Sequence, residues 1–171
     1  MNILLCATLT AAVLMAVPAK AGPADPSRFD TAAYAAQKVV YHFNLTKPAE
    51  LQVGLSSVRF HLRTLKERGD AAGSRIVIVA QGNEIHALSR VHREAYPGVY
   101  ESLRELAELG AEVHVCNGAA TSRGYRPDEF YDLVTVVPAA PTDLVKLQGE
   151  GYRYVALTLQ PRLMRDEASA R

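Results

Sequence analysis

Cys116 is the side chain best suited to covalent chemistry. The 171-residue sequence has two cysteines, Cys6 and Cys116. A cysteine attacks as its thiolate, and nearby oriented backbone N–H groups favour that form. Cys116 closes the run Ala111-Glu112-Val113-His114-Val115 and precedes Asn117-Gly118, a turn able to present such groups. His114 lies two residues earlier, on the same face of an extended strand, where it could lower the thiol pKa or donate a proton. His86, just past Gln81-Gly82-Asn83, is a second candidate for that part. Each has a bland alternative. Free cysteines often pack as small hydrophobes, and histidines in strands are often simply hydrogen-bonded and half-buried.

The elements that must position these residues follow from hydropathy. Lys38–Phe43 is a β-rich run ended by Asn44 and Pro48. Leu51, Leu55, Val58, Leu62 and Leu65 recur in steps of four and three, one apolar stripe on a helix of about five turns that stops at Gly69. Ile76–Ala80 is a continuous aliphatic run, as expected of a strand buried on both faces. A short helix over Glu84 to Arg90 and a firmer one after Pro97 lead to the strand Ala111–Cys116. Leu133–Val137 is a fourth strand, Pro141–Gln148 a short helix ending at Gly149, and Tyr152–Leu157 a fifth strand. Such alternation predicts an α/β three-layer sandwich around a mainly parallel five-stranded sheet with right-handed crossovers.

In an open parallel sheet, ligands bind beyond the carboxyl ends of the strands, at the point where strand order reverses. Those ends supply His42 and Asn44, then Gly82 and Asn83, then Asn117 and Gly118 beside the cysteine, as candidate binding residues. With strand order 2-1-3-4-5, the first and third strands would flank the reversal, and His42 and Cys116 would face one crevice.

Residues Ile3–Val17 form an apolar run broken only by Thr8 and Thr10, followed by Ala19-Lys20-Ala21. Small residues at these two places fit a signal peptide, residues 1–21, cleaved after Ala21, although the Met1 amine is the sole charge before the run. An uncleaved anchor is the alternative, but the run falls short of the roughly 20 residues a span needs. The expectation is a periplasmic or secreted protein: a linker over residues 22–36, a domain over 37–159 and a polar tail over 160–171. Cleavage removes Cys6, so Cys116 has no partner for an internal disulfide.

Composition narrows the field further. Lys+Arg number 19 against 18 Asp+Glu, a formal net charge of +1, which excludes a polybasic nucleic-acid binder. Hydrophobic residues make up 49% and charged residues 22%, the balance of a folded domain. With no Trp and 7% aromatics, a base-stacking platform is not expected. No dinucleotide fingerprint, phosphate loop, serine nucleophile elbow or Cys-x-x-Cys is present. His92 lies six residues past His86, on a different helix face, His61 is on the first helix, and no pair has metal-ligand spacing. No cofactor, metal or, after signal cleavage, membrane attachment is expected.

Lys38-Val39-Val40-Tyr41-His42, the Val77–Gly82 segment, Gly110–Asn117, Val136-Val137-Pro138-Ala139-Ala140 and the closing Leu147-Gln148-Gly149-Glu150-Gly151-Tyr152-Arg153-Tyr154 together resemble the DsrE/DsrF-like family, over about residues 37 to 157. The resemblance implies a flavodoxin-like subunit that forms symmetric homo-oligomers, commonly trimers or hexamers. It also implies a role in sulfur metabolism, with a cysteine that carries persulfide sulfur between a donor and an acceptor thiol. The matching residue is Cys116. Two readings stand: an exported sulfur carrier or sulfurtransferase-like protein, and a non-catalytic oligomeric small-ligand-binding protein with a structural cysteine.

Overall fold

Ile76–Ala80 is buried throughout because its strand is the middle of five. The structure is a computed structural model that describes residues 22–160 and 164–165; the apolar run and cleavage site read in residues 1–21 lie outside them. Strands β1 (Lys38–Phe43), β2 (Arg75–Ala80), β3 (Ala111–Cys116), β4 (Val134–Val137) and β5 (Arg153–Ala156) pair in parallel in the order β4-β3-β2-β1-β5. The α/β sandwich with a parallel five-stranded sheet, of flavodoxin-like kind, is therefore present.

The strand order differs from 2-1-3-4-5, so β2 separates β1 from β3. The chain steps outward strand by strand from β1 to β4, then returns across the whole sheet to the free edge of β1. Right-handed crossovers in opposite directions place their helices on opposite faces. Helices α1 (Leu51–Arg68) and α3 (Val99–Glu108), from the outward steps, share one face; α5 (Ala140–Gly149), from the return, covers the other. Hydropathy carries no record of this order, because every strand in a parallel sheet presents a similar apolar pattern.

The α1 stripe is buried as its spacing predicts: Leu51, Leu55, Val58, Leu62 and Leu65 all face the sheet. The first four of them, with Val99, Leu103 and Leu106 of α3, meet Val39, Phe43, Ile76, Ile78, Ala80, Val113 and Val115 in the larger core. The opposite face has a smaller one, in which Ala140, Leu144 and Leu147 of α5 cover Val40, Val77, Val79 and Cys116.

Two local differences bear on the site. The helix expected over Glu84 to Arg90 is the single turn α2 (Ile85–Leu88), followed by a 3-10 turn at Arg90–His92. The segment after Cys116 is a helix, α4 (Asn117–Ser122). One compact unit begins at Ala32, and within the expected linker Tyr34 N donates to Arg68 O (2.9 Å) while its carbonyl accepts from Asp70 N (3.2 Å). Among the described residues no helix is long and apolar enough to cross a membrane.

Candidate functional site

Cys116 is at once the last residue of β3 and the cap of α4. Its backbone is extended (φ −67°, ψ 115°), and Sγ accepts a hydrogen bond from Ala119 N at 3.4 Å. The sulfur thus takes the place of a capping oxygen at the positive end of a short helix, where negative charge is favoured. Val137 of β4 is its register partner, and α5 begins three residues later with no side-chain cap. The thiol lies in the smaller core with Ala140 and Leu144 and is 6% exposed. A Cβ on Gly118 would sit 3.8 Å from Sγ, so the sulfur lies just beneath that exposed glycine. Asn117 is half-buried, and its Oδ1 is enclosed without a partner.

His114 shares the strand face of Cys116, as the two-residue spacing requires, but its ring is turned to α5. Nδ1 is 2.7 Å from Asp143 Oδ2 and Nε2 is 3.6 Å from Glu112 Oε2. Both His114 and Asp143 are buried, at 8% and 7% exposure. The imidazole is a tie between β3 and the first turn of α5, with no hydrogen bond to the thiol.

His42 also lies on the α5 face. It registers with Val79, which registers with His114, so His42 is level with His114 rather than with Cys116. Two strand spacings of about 4.8 Å set it roughly 10 Å to the side. Gln81 Nε2 donates to His42 Nε2 (2.7 Å), leaving Nδ1 to carry the proton toward Tyr154 Oη (2.7 Å). Burial holds His42 below the ordinary histidine range, an effect the Glu84 carboxylate partly offsets.

Gly82 and Asn83 bind their own chain. Glu84, fully buried, accepts from Leu45 N (2.8 Å), Gln81 N (2.9 Å) and Gly82 N (2.8 Å). A methyl group on Gly82 would run into Glu84 Oε2 and Leu45 N, so this position admits no side chain. Asn83 Nδ2 donates to Thr46 O (2.8 Å), and its Oδ1 accepts from Arg123 Nε and Nη2 (3.4 Å each). Together they lock the loops after β1 and β2 to the end of α4. Asn44 is exposed beside them.

His86 belongs to a separate aromatic group. Its Nδ1 is 2.7 Å from Tyr125 Oη, and its ring stands edge-on to His92 at 6.2 Å and to Tyr125 at 5.4 Å. Burial first, then the Arg123 and His92 charges, lower its pKa. The structure therefore gathers Cys116, Asn117 and Gly118 around the sulfur and sets His42 across the sheet from them. His86 and His114 are occupied by other partners. Among the described residues, no group of three or more His, Cys, Asp or Glu converges as a metal site would require.

Asp143, Glu84 and Tyr154 escape a reading of the sequence alone. An acidic residue in the first turn of α5 looks like ordinary dipole compensation. Its bond to a histidine 29 positions away follows from the return crossover. Glu84 and Tyr154 meet their partners only through the strand order.

The DsrE/DsrF-like family pattern matches residues 29–157, well over half of the chain. No curated protein matches significantly. Among solved structures, MTH1491, a protein of unknown function from Methanobacterium thermoautotrophicum, superposes with a TM-score of 0.57 at 23% identity. The match covers 71% of this chain and 99% of that one. At such identity the likeness concerns the fold.

Proposed function

The chain belongs to the DsrE/DsrF-like family, and from that premise we propose that it carries sulfane sulfur as a persulfide on Cys116. Membership ties the protein to sulfur metabolism; the particular thiol and its cargo are the proposal. The observation that carries it is the seat of the sulfur: at a strand's carboxyl end, capping α4 through Ala119 N at 3.4 Å and beneath exposed Gly118. The Ala119 N–H is the backbone donor that reaches the sulfur.

The chemistry needs no outside oxidant. The Cys116 thiol releases its proton to solvent, and the thiolate attacks the outer sulfur of a donor R–S–SH. A new S–S bond forms to Cys116, the donor's S–S bond breaks, and R–S⁻ leaves with the electron pair. An acceptor thiolate then attacks the outer sulfur of the Cys116 persulfide, and Cys116 departs as thiolate. Both steps are thiol–disulfide-type exchange, governed by thiolate fraction, leaving group and access. In the same reading the protein is exported and forms a homo-oligomer, a trimer or hexamer. The edge strand β5, with Tyr154 44% and Val155 37% exposed, supports self-association.

The 6% exposure of Cys116 favours a second reading, a ligand-binding oligomer whose cysteine is packing. Intact mass after brief exposure to polysulfide or thiosulfate separates the two, with wild type and Cys116→Ser run together, each with and without reductant. A reducible gain of one or more sulfur atoms on wild type alone is expected. No adduct, with the thiol alkylated only after unfolding, would leave the binding-protein reading.

A further inference from the structure

We infer that Asp143, acting through His114, is a positioning residue that holds α5 closed over Cys116, so that opening of α5 governs when the thiol can be reached. The meaning of this gate rests on the sulfur-carrier reading; the gate itself is a property of the fold. A thiol that is 6% exposed cannot meet a donor sulfur unless a neighbouring element moves. Two helices enclose it, and they are held very differently.

Helix α4 is anchored in the larger core through fully buried Ala120. Arg123 at its end donates to Ala119 O at 3.0 Å and to Asn83, which is itself tied to the loop after β1. Helix α5 rests on the smaller core through Ala140, Leu144 and Leu147, and Val145 on its outer side is 70% exposed. Little apolar area therefore holds α5 down, the condition for local opening without global unfolding.

At the end of α5 next to the thiol, the directional tie is the His114–Asp143 hydrogen bond, 2.7 Å long and buried. At the far end, Lys38 Nζ donates to Glu150 O at 3.1 Å, and Gly151 follows at φ +92°, a turn that can stay in place while the first turn of α5 lifts. Removing one partner of a buried pair strands the other without compensation. Loss of Asp143 or His114 therefore favours the lifted state, in which water reaches the remaining group. Glu112, 65% exposed and 3.6 Å from His114 Nε2, lies at the solvent side of the imidazole and is not part of the tie.

The test is the rate of Cys116 alkylation by iodoacetamide under native conditions at one pH, read by mass spectrometry alongside urea unfolding. Asp143→Ala and His114→Gln are expected to raise the rate about tenfold or more with little dependence on low urea. Asp143→Asn, which keeps an acceptor oxygen, falls between them and wild type. Leu62→Ala, in the larger core, lowers the urea midpoint and raises native labelling no further than that loss of global stability accounts for. If the Asp143 and His114 variants label at the wild-type rate, or only in proportion to global unfolding as Leu62→Ala does, the gate is refuted. Amide exchange of the wild-type protein needs no variant: the hydrogen-bonded amides of α5 from Asp143 to Leu147 must exchange ahead of the hydrogen-bonded amides of α1 and α3, and exchange in step with them overturns the inference. Alkylation reads access whatever the sulfur chemistry. A thiol that opens but never gains sulfur sinks the persulfide reading alone, and one that gains sulfur regardless of Asp143 sinks the gate alone.

Discussion

The two faces of this sheet are built to different standards. One is covered by α1 and α3 over a continuous apolar core. The other is covered by α5 over a core into which a thiol, an imidazole and a carboxylate intrude. Apolar burial is where a domain gains most of its stability, so the first face holds the fold together and the second can open without dissolving it. Cys116, His114 and His42 all point to the second. Reactive groups placed there can become accessible at a cost well below that of global unfolding.

The largest effect that would break this contrast is a matched pair of core truncations. Leu55→Ala on α1, at 0% exposure, removes a side chain enclosed by the larger core, whereas Leu144→Ala on α5, at 8%, removes one near the surface of the smaller. Losses of about 3–4 kcal/mol and about 2 kcal/mol or less are expected from urea midpoints at constant m. Equal losses would mean that α5 is as firmly seated as α1.

The elements were largely legible in the sequence, but the contrast between the two faces was not, and the reasons are physical. The α1 stripe, the doubly buried β2 run, and the bounds of β1 and β3 follow from side-chain periodicity, which is a local property. So does the position of Cys116 at a strand's carboxyl end. The helix α4 was harder: Asn117-Gly118 reads as a turn, yet a cysteine cap followed by Ala119 and Ala120 is enough to close one. The strand order was not legible at all, and with it went the separation of His42 from Cys116 by β2. The ties His114–Asp143 and Glu84–Leu45 depend on crossovers, and nothing in the residues between the partners encodes them.

The loop ends sharpen the same comparison at intermediate size. Glu84 accepts three backbone N–H bonds at full burial, so the loops after β1 and β2 belong to the firm part of the molecule although they lie at the same carboxyl end of the sheet as Cys116. Glu84→Gln keeps the shape but turns an NH2 group toward at least one of those donors. A loss of about 2 kcal/mol is expected from the stranded donor. Native labelling of Cys116 should stay at the wild-type rate, because α5 is untouched. A labelling rate that rose with this substitution would show the loops, rather than α5, to be the movable part.

Acid provides the smallest and most discriminating comparison, because each face carries a histidine with a lowered pKa. His61 on α1 is lowered by burial alone and is held by Tyr41 Oη at 3.0 Å and Gln37 Oε1 at 2.9 Å. His42 on the α5 face is lowered by burial, with the Glu84 carboxylate acting in the opposite sense. A histidine whose folded pKa lies below its unfolded value of about 6.5 binds fewer protons in the folded state. Its full contribution to stability is therefore present above that value and is lost as pH falls through the folded pKa. Urea midpoints should fall between pH 7.5 and pH 5.5. His61→Gln should flatten that fall more than His42→Gln, because no neighbouring carboxylate offsets the effect of burial at His61. A stability that holds or rises on acidification would contradict the sign. A larger flattening from His42→Gln would place the acid-sensitive group on the α5 face, and local opening of that face would then be expected to increase as pH falls.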